Sequence, residues 1–325
     1  MMKEGIDTLI LEDFEKGLDP RHPEMSKIPA PIIGYGEIST IFEIKSASMT
    51  GFAFKRMPIF QTIEEMNQYE HLYREYNRLI SNDIGIHVPE SETVRIVPDK
   101  GNMVVYIVQK KLPPQSICNR VISVIDDTSI IRLVNLILRE MKKVWVFNSS
   151  GGEKTIGFDG QISNWAIKGY EGPEPPRIDE KTELYYIDTS TPLMSHNGVE
   201  GLNPDLFLRS APSFLVWLIK WLFLEDVMTR YYDFHLVAVD LIANFYKEQR
   251  PDIIPSLIEA VNDFFEGETS QLHVPPINEK EVRSYYREDA LIWNLYLNLR
   301  RFDRFIHTRI LRKPYTYILP GTIKR

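Results

Sequence analysis

Apolar positions repeat with a strand period through most of the first third of the chain and with a helical period over most of the rest. Residues 7–17 predict a short amphipathic helix. Asp19-Pro20 and His22-Pro23 then break the chain, and Pro29 and Pro31 keep it extended. From Ile32, IIGYGEISTIFEIKS is rich in β-branched and aromatic residues and reads as strand around a glycine turn. GFAFKRM, from Gly51, is a further strand, with SASMTG as the hairpin turn before it. Thr62 to Ser81 is the clearest helix of this half. Thr62 followed by Glu65 has the form of a capping box, and Met66, Tyr69, Tyr73, Tyr76 and Ile80 form an apolar stripe. After a loop at Gly85–Pro89, TVRIVP and MVVYIVQ are two strands joined by Asp99-Lys100-Gly101-Asn102, and Pro113-Pro114 closes the region.

Beyond Pro114 a helix is predicted from Asp127 or Thr128 to about Phe147, with Ile130, Ile131, Val134, Leu138, Met141 and Trp145 apolar. Short strand-like pieces follow, TIGF, NWAIK and ELYYID, the last two separated by the polar, proline-rich surface loop GYEGPEPPRIDEK. From Pro212 onward the pattern is mainly helical, with breaks near Pro251, Pro275-Pro276 and Pro314. The expected organisation is an N-terminal extension over 1–30, a small α+β unit over 31–112 and a mainly helical unit over 113–325, the division expected of 325 residues.

Composition narrows the function classes. Apolar residues make up 43% and charged residues 26%, as in soluble globular proteins, and a net charge of −7 argues against a nucleic-acid binder. The single cysteine, Cys118, makes no internal disulfide, and no Cys/His spacing suits structural zinc. The most apolar window, Phe214 to Leu224, is too short to span a bilayer and reads as a buried helix. The amino terminus has no basic flank and long apolar run of a signal peptide, so a cytoplasmic location and no membrane partner are expected.

Five short motifs carry the candidate chemistry. Gly34-Tyr35-Gly36-Glu37-Ile38-Ser39 lies on a strand turn, where glycines let backbone N–H groups approach a phosphate; the plain alternative is a hairpin glycine pair. Lys55, 21 residues later, ends Phe52-Ala53-Phe54-Lys55 on the same strand side as Ala53, either to meet a phosphate and a carboxylate or as an exposed strand lysine. Glu75 borders the stripe of the following helix near Leu72 and Leu79, with Glu70 as its rival on the other border. Asp159 and Asn164 stand five apart in DGQISN before apolar Trp165-Ala166-Ile167, although Asp-Gly alone makes a β-turn. Asp188 ends the strand LYYID, 29 residues beyond Asp159.

In this order the motifs resemble the protein-kinase-like superfamily, and within it the aminoglycoside and choline kinase type, from about Ile32 to about Thr191. The resemblance implies an α+β, two-lobe fold, with a β-rich small lobe carrying one helix and a larger helical lobe. It implies ATP and Mg²⁺ as cofactors, with Gly34, Gly36, Ser39, Lys55 and Gln109 binding nucleotide and Glu75 pairing with Lys55. Asp159 would be the base, and Asn164 and Asp188 the metal ligands. Gly157 departs from the family, which carries histidine two residues before the aspartate. Without an A-P-E element, the acceptor expected is a small-molecule hydroxyl, the alternative being an inactive kinase-like protein that binds nucleotide or a partner. Tyr106 or Gln109 is expected near the adenine pocket. His235 is expected in the core or cleft, Tyr231-Tyr232 at a core edge, and Arg300-Arg301 on a solvated face.

Overall fold

The computed structural model describes residues 6–36, 39–98, 103–203, 205–208, 229–313 and 315–320. The expected turn at 99–102 and the apolar window 214–224 lie outside them. The chain is mixed α and β, with a five-stranded antiparallel sheet in the first third and mostly helices after it. The sheet has the order β1 (Ile32–Tyr35), β2 (Thr40–Phe42), β3 (Phe52–Phe60), β5 (Met103–Lys110), β4 (Ser91–Ile96).

Both faces of this sheet are covered, and β5 shows it residue by residue. Val105 and Ile107 belong to the main core, while Val104, Tyr106 and Val108 belong to a second core on the reverse face. Helix α2 (Ile63–Arg78) contributes its stripe of Met66, Tyr69, Tyr73 and Tyr76 to the main core, and Thr62 and Glu65 close the expected capping box. On the reverse face lie Leu11 and Phe14 of helix α1 (Thr8–Gly17, capped by Asp7), together with Ile318 from near the carboxyl end. A strand buried on both faces reads as a continuous apolar run, which is what VVYIV is.

Arg56 on β3 points into the reverse core. It pairs with Glu15 of α1, its Nε donating to Oε2 at 2.8 Å, and its Nη1 donates to the Thr316 carbonyl at 3.0 Å. Tyr106 donates its hydroxyl to the same carboxylate. Tyr106 therefore faces α1, contrary to its expected place near an adenine pocket.

After the sheet come α3 (Cys118–Val121), α4 (Asp127–Ser149), α5 (Asp205–Leu208), α6 (Phe234–Lys247), α7 (Ile254–Gly267) and α8 (Glu279–Phe305). Among the described residues two small sheets punctuate them. One pairs β7 (Trp165–Ile167) with β8 (Leu184–Tyr186). The other has the order β10 (Val199–Glu200), β9 (Met194–His196), β6 (Lys154–Ile156), of which β9 and β10 had no strand signal of their own. Arg300 is buried rather than solvated: its guanidinium lies over the rings of Tyr296 and Tyr317, each 5.4 Å away, and the aromatic faces take the place of water around a weakly hydrated cation. His235 sits between helices, its Nε2 2.6 Å from Glu281 Oε1 of α8. No helix among the described residues is long and apolar enough to cross a membrane.

Candidate functional site

Strand alternation on β3 sends Phe54 and Arg56 to the reverse core and Lys55 to the opposite side, beside the main core. There Lys55 Nζ donates to Asp188 Oδ1 at 2.7 Å and also to Ser190 Oγ. Ser190 in turn donates its hydroxyl to Asp188 Oδ1 at 2.7 Å. The lysine side chain is 13% exposed and the aspartate 31%, so the pair stands at the edge of solvent.

Asp188 reaches this point through the β7–β8 hairpin. Trp165 pairs with Tyr186, and the Ile187 N–H donates to the Asn164 carbonyl at 2.9 Å. Asn164 and Asp188 thus sit at one end of one ladder. The turn before β7 is held by its own polar groups. Gln161 N–H donates to Asp159 Oδ1 at 3.2 Å, and Asn164 Nδ2 donates to the Asp159 carbonyl at 3.3 Å. Aromatic packing fixes the hairpin from below: Phe158 stacks on Tyr186 with ring centroids 4.2 Å apart, and Trp165 packs on both. The sequence neighbours of Asp159, Asn164 and Asp188 are therefore the buried anchors of the site.

The electrostatics follow from this packing. Burial, and next the charge of Asp188, push the Asp159 carboxyl up to about 6 against the hydrogen bonds from Gln161 and Asn164. Burial works the same way on Asp188. The Lys55 charge and the bonds from Lys55 and Ser190 outweigh it and hold that carboxyl below the usual range. A third carboxylate, Asp240 of α6, was not singled out in the sequence. Burial and then the charges of Asp159 and Asp289 raise it well above the carboxylate range, and Asn244 Nδ2 donates to its Oδ1 at 3.1 Å. An aspartate inside the apolar run LVAVDLIANF was the available signal, because a carboxylate is rarely buried without a reason.

Gly36 lies close to the lysine: a Cβ there would be 3.8 Å from Lys55 Cε, and 2.5 Å from Ser39 Oγ, a hydroxyl that would have to turn away. Gly34, opposite Ile41, leads into the glycine turn, and Gly36 N–H donates to the buried Ser39's carbonyl at 3.0 Å. Gln109 pairs with Ala53 at the far end of β5, two residues along β3 from Lys55.

The expected Lys55–Glu75 pair does not form. Glu75 pairs with Lys154 and Glu70 with Arg95, because the face that α2 turns toward Lys55 carries tyrosines. Tyr69 donates to the Ser190 carbonyl at 2.7 Å and Tyr76 to the Gly157 carbonyl at 3.1 Å, so α2 grips the site through its hydroxyls. Gly157, the residue that departs from the family's histidine, is tightly packed: a Cβ there would lie 3.0 Å from both Leu193 Cβ and Tyr232 Cζ, so any side chain needs those neighbours to give by a few tenths of an ångström.

A divalent, oxygen-seeking cation would find partial provision. Asp188 engages Lys55 and Ser190 through Oδ1, which leaves Oδ2, and Asn164 engages the Asp159 carbonyl through its amide nitrogen, which leaves its oxygen. That fits an ion taking most of its ligands from water and phosphate. Among the described residues no group of three or more His, Cys, Asp or Glu is arranged to hold a metal unaided.

In comparisons with known proteins, the family described as "Family of unknown function (DUF6206)" matches residues 29–304. No curated protein sequence matches. Two solved structures with partial likeness are GDP complexes of aminoglycoside 2′-phosphotransferase-IIIa. The complex of a point mutant has 11% identity and a TM-score of 0.33, over 77% of this chain and 95% of that one. The wild-type complex has 9% identity and a TM-score of 0.31, over 76% and 95%.

Proposed function

The chain belongs to DUF6206, a family of unknown function, and from its site we propose a kinase-like phosphotransferase that moves the γ-phosphoryl group of Mg-ATP to a hydroxyl of a small molecule. In this reading residues 31–112 form the nucleotide-binding lobe and residues 113–325 the catalytic lobe. The observation that carries it is the convergence of Lys55, Asp188, Asn164 and Asp159 from three separate segments, with Gly36 close to Lys55. A lysine held by an aspartate at the edge of solvent is a place where phosphate oxygens can enter between the two.

Each residue then has a task. Backbone N–H groups of the Gly34–Ser39 turn and the Lys55 ammonium receive the phosphates, and backbone groups near Gln109 meet the adenine edge. Magnesium, when bound by Asp188 and Asn164, supplies charge neutralisation at the phosphate oxygens. Asp159 accepts the proton of the acceptor hydroxyl as the new O–P bond forms and the bond to the ADP oxygen breaks. A carboxyl near pH 6 is ionised at neutral pH yet basic enough for that transfer. Nucleotide binding without transfer is the second reading, and the Glu75–Lys154 pair favours it, since Lys55 has no helix glutamate to set its position.

The test is a thermal-shift titration with Mg-ATP followed by transfer assays on a panel of hydroxyl acceptors. Saturation at about 100 times the dissociation constant should add roughly 2.7 kcal/mol of stability. Asp159→Ala should keep binding while lowering transfer by about 10²- to 10⁴-fold. A flat titration up to millimolar Mg-ATP removes both readings. Binding without transfer to any acceptor leaves the second.

A further inference from the structure

A cluster of arginines lies in a cleft whose lining does not include Lys55. The cleft, of about 540 Å³, is enclosed by the 20–24 segment, β1, the last turns of α8 with the turn that follows it, and the 318–319 strip. Arg21, Arg301, Arg304 and Arg309 line it, and Glu24 is the one carboxylate among its lining residues. Glu24 already faces His22, at 3.5 Å. Arg21, Arg304 and Arg309 have no carboxylate within ion-pair distance among the described residues. Four guanidinium groups in one concavity repel each other, and in a chain of net charge −7 such a cluster runs against the overall field. Its apolar walls include Tyr35 and Phe305, both largely exposed, which offer flat surfaces to a ligand.

We propose that this cleft binds a free small molecule bearing several phosphate groups, with Arg304 and Arg309 of the α8 end and Arg21 of the opposite wall as its anion contacts. Guanidinium forks suit phosphate oxygens, and the volume lies in the ordinary range for a nucleotide-sized ligand. The concavity, bounded by the 20–24 segment on one side and the 301–309 turns on the other, favours a compact ligand over an extended polymer. The site is separate from the Lys55 site. Tyr35, which lines it, stands between Gly34 and Gly36, so a bound ligand would touch the strand that leads into the glycine turn.

The experiment is calorimetric titration with tripolyphosphate, without magnesium, at low and high salt. The proteins are wild type, the double variant Arg304→Gln/Arg309→Gln, the single variant Arg21→Gln from the other wall, and Lys55→Met. Wild type should bind and lose affinity as salt rises, and Lys55→Met, whose own phosphate site is disabled, should retain the salt-sensitive binding that the arginine variants lose. Each removed guanidinium should weaken binding about tenfold or more. Hydrogen exchange on the wild-type complex should slow in residues 20–24 and 301–309. No binding by wild type, unchanged binding by the arginine variants, or loss only in Lys55→Met overturns the proposal. Because the arginine variants leave Lys55 in place and the cleft is not lined by it, failure of the phosphotransferase reading would leave this result unaffected. Binding to phosphatidylcholine–phosphoinositide vesicles in place of tripolyphosphate would assign the cleft to a membrane headgroup and overturn the soluble-ligand proposal.

Discussion

Asp159 illustrates how one residue's environment sets its chemistry. In sequence it is half of an Asp-Gly turn; in the fold it is a carboxyl crowded by burial and by Asp188, with an affinity for protons raised from the ordinary 3.8 to about 6. Between those two values the folded protein holds a proton that the unfolded chain has released, so stability falls as pH rises through that window. Asp159→Asn keeps an oxygen for the Gln161 N–H and carries no charge. Its melting temperature should therefore match wild type at about pH 4 and exceed it by a gap that grows through about pH 6 and then levels off. Thermal unfolding of both proteins across pH 4–8 checks this. A constant gap would mean that Asp159 is solvated, and a variant that melts lower above pH 6 would mean that the fold favours its charged form. The aspartate was legible in the sequence as a candidate. Its proton affinity was not, because that depends on Asp188, 29 residues away, and on the burial around it.

At the scale of elements, helix α2 was legible in its capping box and its stripe but not in its orientation. The rotation of a helix about its axis is fixed by what packs against it, and here the stripe tyrosines Tyr69, Tyr73 and Tyr76 face the main core. That turns Glu75 toward Lys154 and away from Lys55. Glu75→Gln should thus change Mg-ATP affinity less than about twofold and cost under roughly 1 kcal/mol, as for an ion pair that still reaches solvent. Nucleotide titration and urea unfolding of the variant give both numbers. A tenfold loss of affinity would show that α2 rotates and that Glu75 reaches Lys55 when nucleotide binds.

For the whole molecule, the covered reverse face of the sheet is the main departure from the expected organisation. Residues 1–30 read as an extension, yet α1 supplies Leu11, Phe14 and Glu15 to a core of the sheet. Burial alone would raise the Glu15 carboxyl. The Arg56 charge and bonds outweigh it and hold the group below its ordinary range, so the contribution is complete above the unfolded value of 4.5 and is lost on acidification. Glu15→Ala leaves the Arg56 guanidinium buried without a countercharge, with the Thr316 carbonyl and the Tyr106 hydroxyl as its neutral partners, and should cost about 3–5 kcal/mol in urea unfolding at neutral pH. A loss below roughly 1 kcal/mol would place the pair in solvent.

The sequence by itself determined the local features of this protein. The strand and helix periods, the cap at Thr62, the glycine turn and the order Lys55, Asp159, Asn164, Asp188 all depend on near neighbours, and near neighbours are written consecutively. Tertiary structure decided what depends on distant ones. It set Lys55 against Asp188 and Ser190, brought Asp240 in from α6, and gave Tyr106 and Arg56 to α1. It also drew Arg21 and Arg309 to one cleft from opposite ends of the chain. The physical reason is that a charged side chain's partner is selected by burial and by distances of a few ångströms, and a linear pattern records neither.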